Sequence, residues 1–135
     1  MKIKTICICG SMKLKDRIIE IGEKLKVLGY DVYTPNISET NNYSVMTEEE
    51  QKIHKNRMIV DHLYKIKKSD TILVINEKLN DIEGYIGANS FLEIGFAFAL
   101  EKKIFLLNNI PQQPNSVEIK GMLPEVINGD LLKIK

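Results

Sequence analysis

In YIGANSFLEIGFAFALEKKIFLL, residues 85–107, Glu93 stands inside a largely apolar run that continues to Leu100. Glu93 is followed by Ile94, Phe96, Ala97 and Phe98, and Gly84 and Gly87 lie just upstream. Two roles are open to a carboxylate in that setting. Apolar surroundings perturb its pKa and suit it to act as an acid or a nucleophile. Alternatively, Ser90 and Glu93 have the S-x-x-E spacing of a capping box and would close the start of a helix. Spacing leaves both open. The two glycines would let backbone approach a ligand closely.

A second candidate is CGSMKLKD, Cys9 to Asp16. Glycine at a strand end, then serine and a helix start, leaves free amides and a partial positive charge that suit a phosphate. Neither the dinucleotide fingerprint G-x-G-x-x-G nor the G-x-x-x-x-G-K-[ST] loop occurs, so an anion site and a simple turn both stand. His54, Met58, Asp61 and His62 fall on one helical face, which reads as mixed and solvated. Cys7 and Cys9 sit two apart in a predicted strand, about 6.6 Å along it, a poor geometry for a mutual disulfide. They read as buried thiols in a reducing compartment. With two histidines and no thiol cluster beside them, no zinc signature appears, and no metal or other cofactor is expected.

The elements that must position these residues follow from periodicity. IKTICICG is a β-branched run ended by glycine, a strand buried on both faces. Ile18, Ile21, Leu25 and Leu28 follow helical spacing, and Gly29 stands where a left-handed cap is wanted. YDVYTP is a second strand. Thr47 with Glu50 forms a capping box that starts a helix running to about Lys68. In it Ile53, Ile59, Leu63 and Ile66 are expected toward the core, and its length suggests a break midway. DTILVIN is a third strand, NSFLEIGFAFALEKK a third helix and KIFLLN a fourth strand. The tail, with Pro111, Pro114 and Pro124, reads as loop and short helix, closing with a strand at DLLKIK.

This alternation predicts a three-layer flavodoxin-like or Rossmann-like α/β sandwich with a 4–5-stranded parallel sheet. In such sheets ligands bind beyond the carboxyl ends of the strands. Gly10, Ser11, Pro35, Asn36, Asn76 and Asn108 lie there, whereas Asp70 opens strand three at the opposite rim and reads as structural.

The 135 residues suffice for one core-bearing domain. A net charge of +1 gives no electrostatic footprint for nucleic acid. No apolar run is long enough for a membrane span, and MKIKTICICG is too short for a signal sequence. A cytoplasmic protein is expected.

ICICGSM, DHLYKIKKSDTILVIN and GYIGANSFLEIGFAFALEKKIFLL together resemble the nucleoside 2-deoxyribosyltransferase superfamily, which also contains the 2'-deoxynucleoside 5'-phosphate N-hydrolases and the cytidine monophosphate N-glycosidases. The likeness spans residues 5–108, most of what reads as a single domain over residues 1–135. It implies a flavodoxin-like fold and cleavage or transfer at the N-glycosidic bond of a nucleoside or its 5'-monophosphate. Glu93 would attack the anomeric carbon, and water or a second base would collect the sugar. No cofactor is implied. Cys9, Gly10 and Ser11 match the block in which the serine helps hold phosphate. Asp61 is the nearest match to the family's second acid, with His62 as the competing position. Where the family carries aspartate or serine this chain has Gly87, so Tyr85, Asn89 or Ser90 would supply the polar contacts. Cys7 replaces the tyrosine common on strand one. The resemblance further implies a homo-oligomer whose site is completed by a neighbouring subunit, with Met122 and Leu123 available as an apolar lid. Hydrolase, transferase, a non-catalytic nucleotide sensor and a plain structural domain remain distinguishable only by experiment. Phe91, Phe96 and Phe98 read as packing, with Phe91 close enough to the crevice to stack on a base.

Overall fold

A computed structural model describes residues 2–37 and 42–135. Five strands, β1 (Thr5–Gly10), β2 (Asp31–Tyr33), β3 (Thr71–Ile75), β4 (Lys103–Leu106) and β5 (Glu125–Val126), form one sheet of order β2-β1-β3-β4-β5. All four pairings are parallel. The helices are α1 (Lys15–Val27), α2 (Glu48–Lys67), α3 (Ala88–Ala99) and α4 (Ser116–Gly121). The chain is an α/β sandwich of the flavodoxin-like order, with its topological switch between β1 and β3.

Strand alternation divides the interior in two. Ile6, Ile8, Leu73, Ile75, Phe105 and Leu107 face α1, meeting Ile18, Ile21 and Leu25. Cys7, Cys9, Ile72, Val74, Ile104 and Leu106 face the other way, against Ile66 of α2, Ile94 and Ala97 of α3 and Ile119 of α4. The register that sorts them pairs Cys7 with Ile72 and Cys9 with Val74. It is secured at the amino end of the sheet, where one Asp70 carboxylate oxygen accepts from the amides of Lys4 at 2.8 Å and Thr5 at 3.0 Å. Asp70 is therefore structural.

Local chemistry explains the ends of the helices. Gly29, at φ 98°, takes the left-handed conformation that stops α1. Thr47 and Glu50 close a reciprocal capping box at the start of α2, with Glu48 and Glu49 beside it and lysines in the last turn, as the helix dipole favours.

Several expectations are corrected. α2 is one unbroken helix of 20 residues, because its cap and charge pattern sustain it without a breaker. Ile53 is exposed, and His54, His62 and Ile66 are the buried residues of α2. On the face shared by His54, Met58, Asp61 and His62, the two histidines are thus turned inward rather than solvated, while Met58 and Asp61 are only partly buried. The fifth strand is Glu125–Val126 and not DLLKIK, whose Leu131–Lys133 form a 3-10 turn started by the Asp130 side chain. The third helix starts at Gly87 rather than Ser90, so Ser90 lies inside it and no capping box joins Ser90 to Glu93.

Candidate active site

A cavity of about 400 Å³ opens beyond the carboxyl ends of β1 and β3, walled by the loop after β1, by α2 and by the start of α3. Loss of the capping role leaves Glu93 one turn further into α3, with its side chain aimed at the cavity floor. There it is only 15% exposed, and its Oε2 lies 3.6 Å from Nε2 of His62, itself 5% exposed. His62 Nε2 is in turn 3.4 Å from Cys9 Sγ and 3.6 Å from Cys7 Sγ. Four titratable groups from three elements meet beneath one opening.

Their mutual contacts set their protonation. Burial pushes the Glu93 carboxyl up to about 7; the His62 charge pulls it back, and a Cys7 thiolate adds to the rise. For His62, burial opposes the cation, but the hydrogen bond to Cys7 and the Glu93 carboxylate outweigh it and its pKa is raised. The hydrogen bond with Cys9 pulls Cys7 below the ordinary thiol range, against burial and with help from His62. Cys9 moves the opposite way, driven up by burial, then by Cys7 and by the Glu93 charge. A carboxyl poised near neutrality can act as a base, an acid or a nucleophile at physiological pH.

Of the residues singled out by sequence, Gly10, Ser11, Asp61, Tyr85, Gly87, Asn89, Ser90 and Glu93 line this cavity. The Ser11 hydroxyl accepts from the Lys13 amide at 3.2 Å within a 3-10 turn that precedes α1. Asp61 pairs with Lys65 at 2.9 Å and is a half-exposed rim acid, so His62, not Asp61, is the residue that faces Glu93. Two expectations fail on geometry. Cys9 is wholly buried and is not part of the cavity lining, which Glu93 and His62 reach. Asn76 is also fully buried and lies away from the cavity. Its amide donates to the carbonyls of Asn108 at 2.9 Å and Asn109 at 3.1 Å, and its oxygen accepts from the Asn108 amide, tying the loop after β3 to the loop after β4.

Gly84 belongs to that same tie. Its φ is 70°, and a β-carbon there would stand 2.6 Å from the Asn109 carbonyl oxygen, so it serves the loop rather than the cavity. Gly87 does border the cavity, and a β-carbon there would meet the Tyr85 ring at 3.3 Å and its hydroxyl at 3.5 Å. The space a side chain at 87 would take is occupied by Tyr85. Phe96, rather than Phe91, reaches the lining, and Met122 and Leu123 do not. Leu123 is 83% exposed.

Sequence reasoning missed Tyr43, Lys13 and Lys55 in the lining. Burial lowers the pKa of Lys55, and the Glu93 charge opposes that. It also missed the grouping of Cys7 and Cys9 with His62, since 53 and 55 residues of chain separate them from it. A turn-by-turn count along α2 from Ile66 inward would have found His62 on the core side.

No protein-family model matches the chain, and no curated protein matches it. The fold is similar to the solved structure of a 2-deoxyribosyltransferase from the psychrotolerant bacterium Bacillus psychrosaccharolyticus, with a TM-score of 0.57 and 17% identity over 76% of this chain and 70% of that one. At that identity the likeness is one of fold. No helix among the described residues is long and apolar enough to cross a membrane.

Proposed function

We propose that this protein cleaves or transfers at the N-glycosidic bond of a deoxynucleoside or its 5'-monophosphate, with Glu93 as nucleophile. The observation that carries the reading is a carboxylate with a pKa of about 7, at the floor of a nucleoside-sized cavity at the sheet's topological switch. The similar fold of a 2-deoxyribosyltransferase adds to it. In the first displacement a Glu93 oxygen bonds to C1', and the bonding pair of the C–N bond leaves with the base, which takes up a proton. In the second, water or another base attacks C1' from the opposite side and frees the carboxylate. His62 at 3.6 Å holds the ionised Glu93 in place. Tyr85, standing in the space beside Gly87, offers a hydroxyl to the sugar. Lys13 and Lys55 give the walls positive charge, which favours a 5'-phosphate over an uncharged 5'-hydroxyl.

The test follows free base by chromatography from deoxynucleosides and their 5'-monophosphates, with and without an acceptor base, in the presence of a chelator. Glu93→Gln is expected to lose at least about a thousandfold in base release. Because the attacking form is the carboxylate, the wild-type rate should climb as pH rises through about 7 and level off above. Base release that survives Glu93→Gln, or tight nucleotide binding with no release at any pH, removes the proposal. Exchange seen only with an acceptor base selects transferase over hydrolase.

A further inference from the structure

The two thiols under the cavity floor have no part in that displacement, yet their placement is specific. Cys7 and Cys9 are two apart in β1, so the pleat turns both toward α2 and α3. His62 comes down between them, and the two sulfurs and its Nε2 all lie within 4.8 Å of one another. A tetrahedral ion bonded at about 2.3 Å to each sulfur and about 2.0 Å to nitrogen demands N···S separations of about 3.6 Å. The observed separations are 3.4 and 3.6 Å. Glu93 Oε2 stands 3.6 Å from that nitrogen, but only the two sulfurs and the nitrogen lie mutually within 4.8 Å, so the carboxylate reaches the fourth position by turning its side chain.

We propose that Cys7, Cys9 and His62 form a binding site for a thiophilic divalent cation of the zinc class, with Glu93 turning onto its fourth, tetrahedral position. Two sulfurs, an imidazole nitrogen and one oxygen are the donor set such an ion takes, whereas magnesium and calcium call for six or more oxygens. The sulfurs are wholly buried, and the way in is the cavity itself, past the one donor that is partly exposed. Binding releases the thiol and carboxyl protons to solvent and leaves His62 neutral. Two thiolates neutralise the dication, and the negative charge added by Glu93 faces Lys55, with which it interacts. An ion held there occupies the carboxylate that the proposed displacement needs, so occupancy and turnover exclude each other. That consequence rests on the reading of Glu93 as nucleophile; the binding itself does not.

The experiment uses the full chain, stripped with a chelator and free of nucleotide, titrated with cobalt(II) and then zinc. One equivalent of cobalt should bring up an intense thiolate-to-metal charge-transfer band and strong tetrahedral visible bands, both erased by one equivalent of zinc. Cys9→Ala and His62→Gln, shown folded by circular dichroism, should each weaken binding about a hundredfold or more, and Glu93→Gln about tenfold. A wild-type spectrum with no charge-transfer band overturns the site without recourse to any variant. Bands of full strength in folded Cys9→Ala or His62→Gln overturn it equally, and unchanged affinity in Glu93→Gln removes the carboxylate from it. Base release measured in chelator is untouched by these results, so the two proposals fail separately.

Discussion

The two faces of the sheet are built from the same strands and do opposite things. Toward α1 the residues are Ile6, Ile8, Leu73, Ile75, Phe105 and Leu107, an aliphatic layer around one aromatic ring, with no titratable group in the buried cluster. Toward α2 and α3 the same alternation presents Cys7 and Cys9, with His62 and Glu93 packed against them. One face holds the fold by apolar burial alone. The other accepts the cost of burying ionisable groups, which persists only where they satisfy one another. A purely apolar layer and a buried ionisable cluster are thereby separated by the thickness of a single sheet.

That contrast makes three measurable claims. The largest effect belongs to the aliphatic face: Phe105→Ala should lower unfolding stability by about 3–5 kcal/mol in a denaturant titration. A loss under about 1 kcal/mol would mean that face is not the anchor.

The opposite face should respond with the opposite sign. Glu93 titrates at about 7 in the folded chain against an ordinary 4.5. The folded state therefore binds this proton more tightly than the unfolded one, and stability falls as pH rises from 4.5 to 7, with the full penalty present above. Glu93→Gln, measured in chelator, should be more stable than wild type by about 3 kcal/mol at pH 8 and nearly equal to it at pH 4. A variant less stable than wild type at pH 8 would place Glu93 among the fold's supports.

The smallest effect lies outside both faces. Thr47→Ala, which removes the cap of α2, should cost about 1 kcal/mol and leave the pH dependence of stability around pH 7 unchanged, any change in the acid range belonging to Glu50, whose pKa the cap lowers. A change in that dependence near pH 7 would show that the far end of α2 positions His62.

Much of this architecture was legible in the chain because its signals are local. The strand runs, the Thr47–Glu50 box and Gly29 each declare an element within a few residues. The position of Glu93 at a crevice follows from the rule for parallel sheets. What escaped was set by tertiary packing. Spacing offered Ser90 as a cap, but Gly87 begins the helix three residues sooner and changes what Glu93 does. Asp61 and His62 are neighbours in sequence and differ by a helical rotation of about 100°. Only packing shows that the histidine turns inward while the acid pairs with Lys65 at the rim. Asn76 sits where a ligand contact is expected, but the loop after β4 takes up its side-chain hydrogen bonds through Asn108 and Asn109.

The Asp70 clasp on Lys4 and Thr5 has a reach beyond its own rim. A shift of β1 by a single position would invert its side chains, sending both sulfurs among the isoleucines and leaving methyl groups below the carboxylate. A carboxylate at the far edge of the sheet thus helps hold the register that turns Cys7 and Cys9 toward His62.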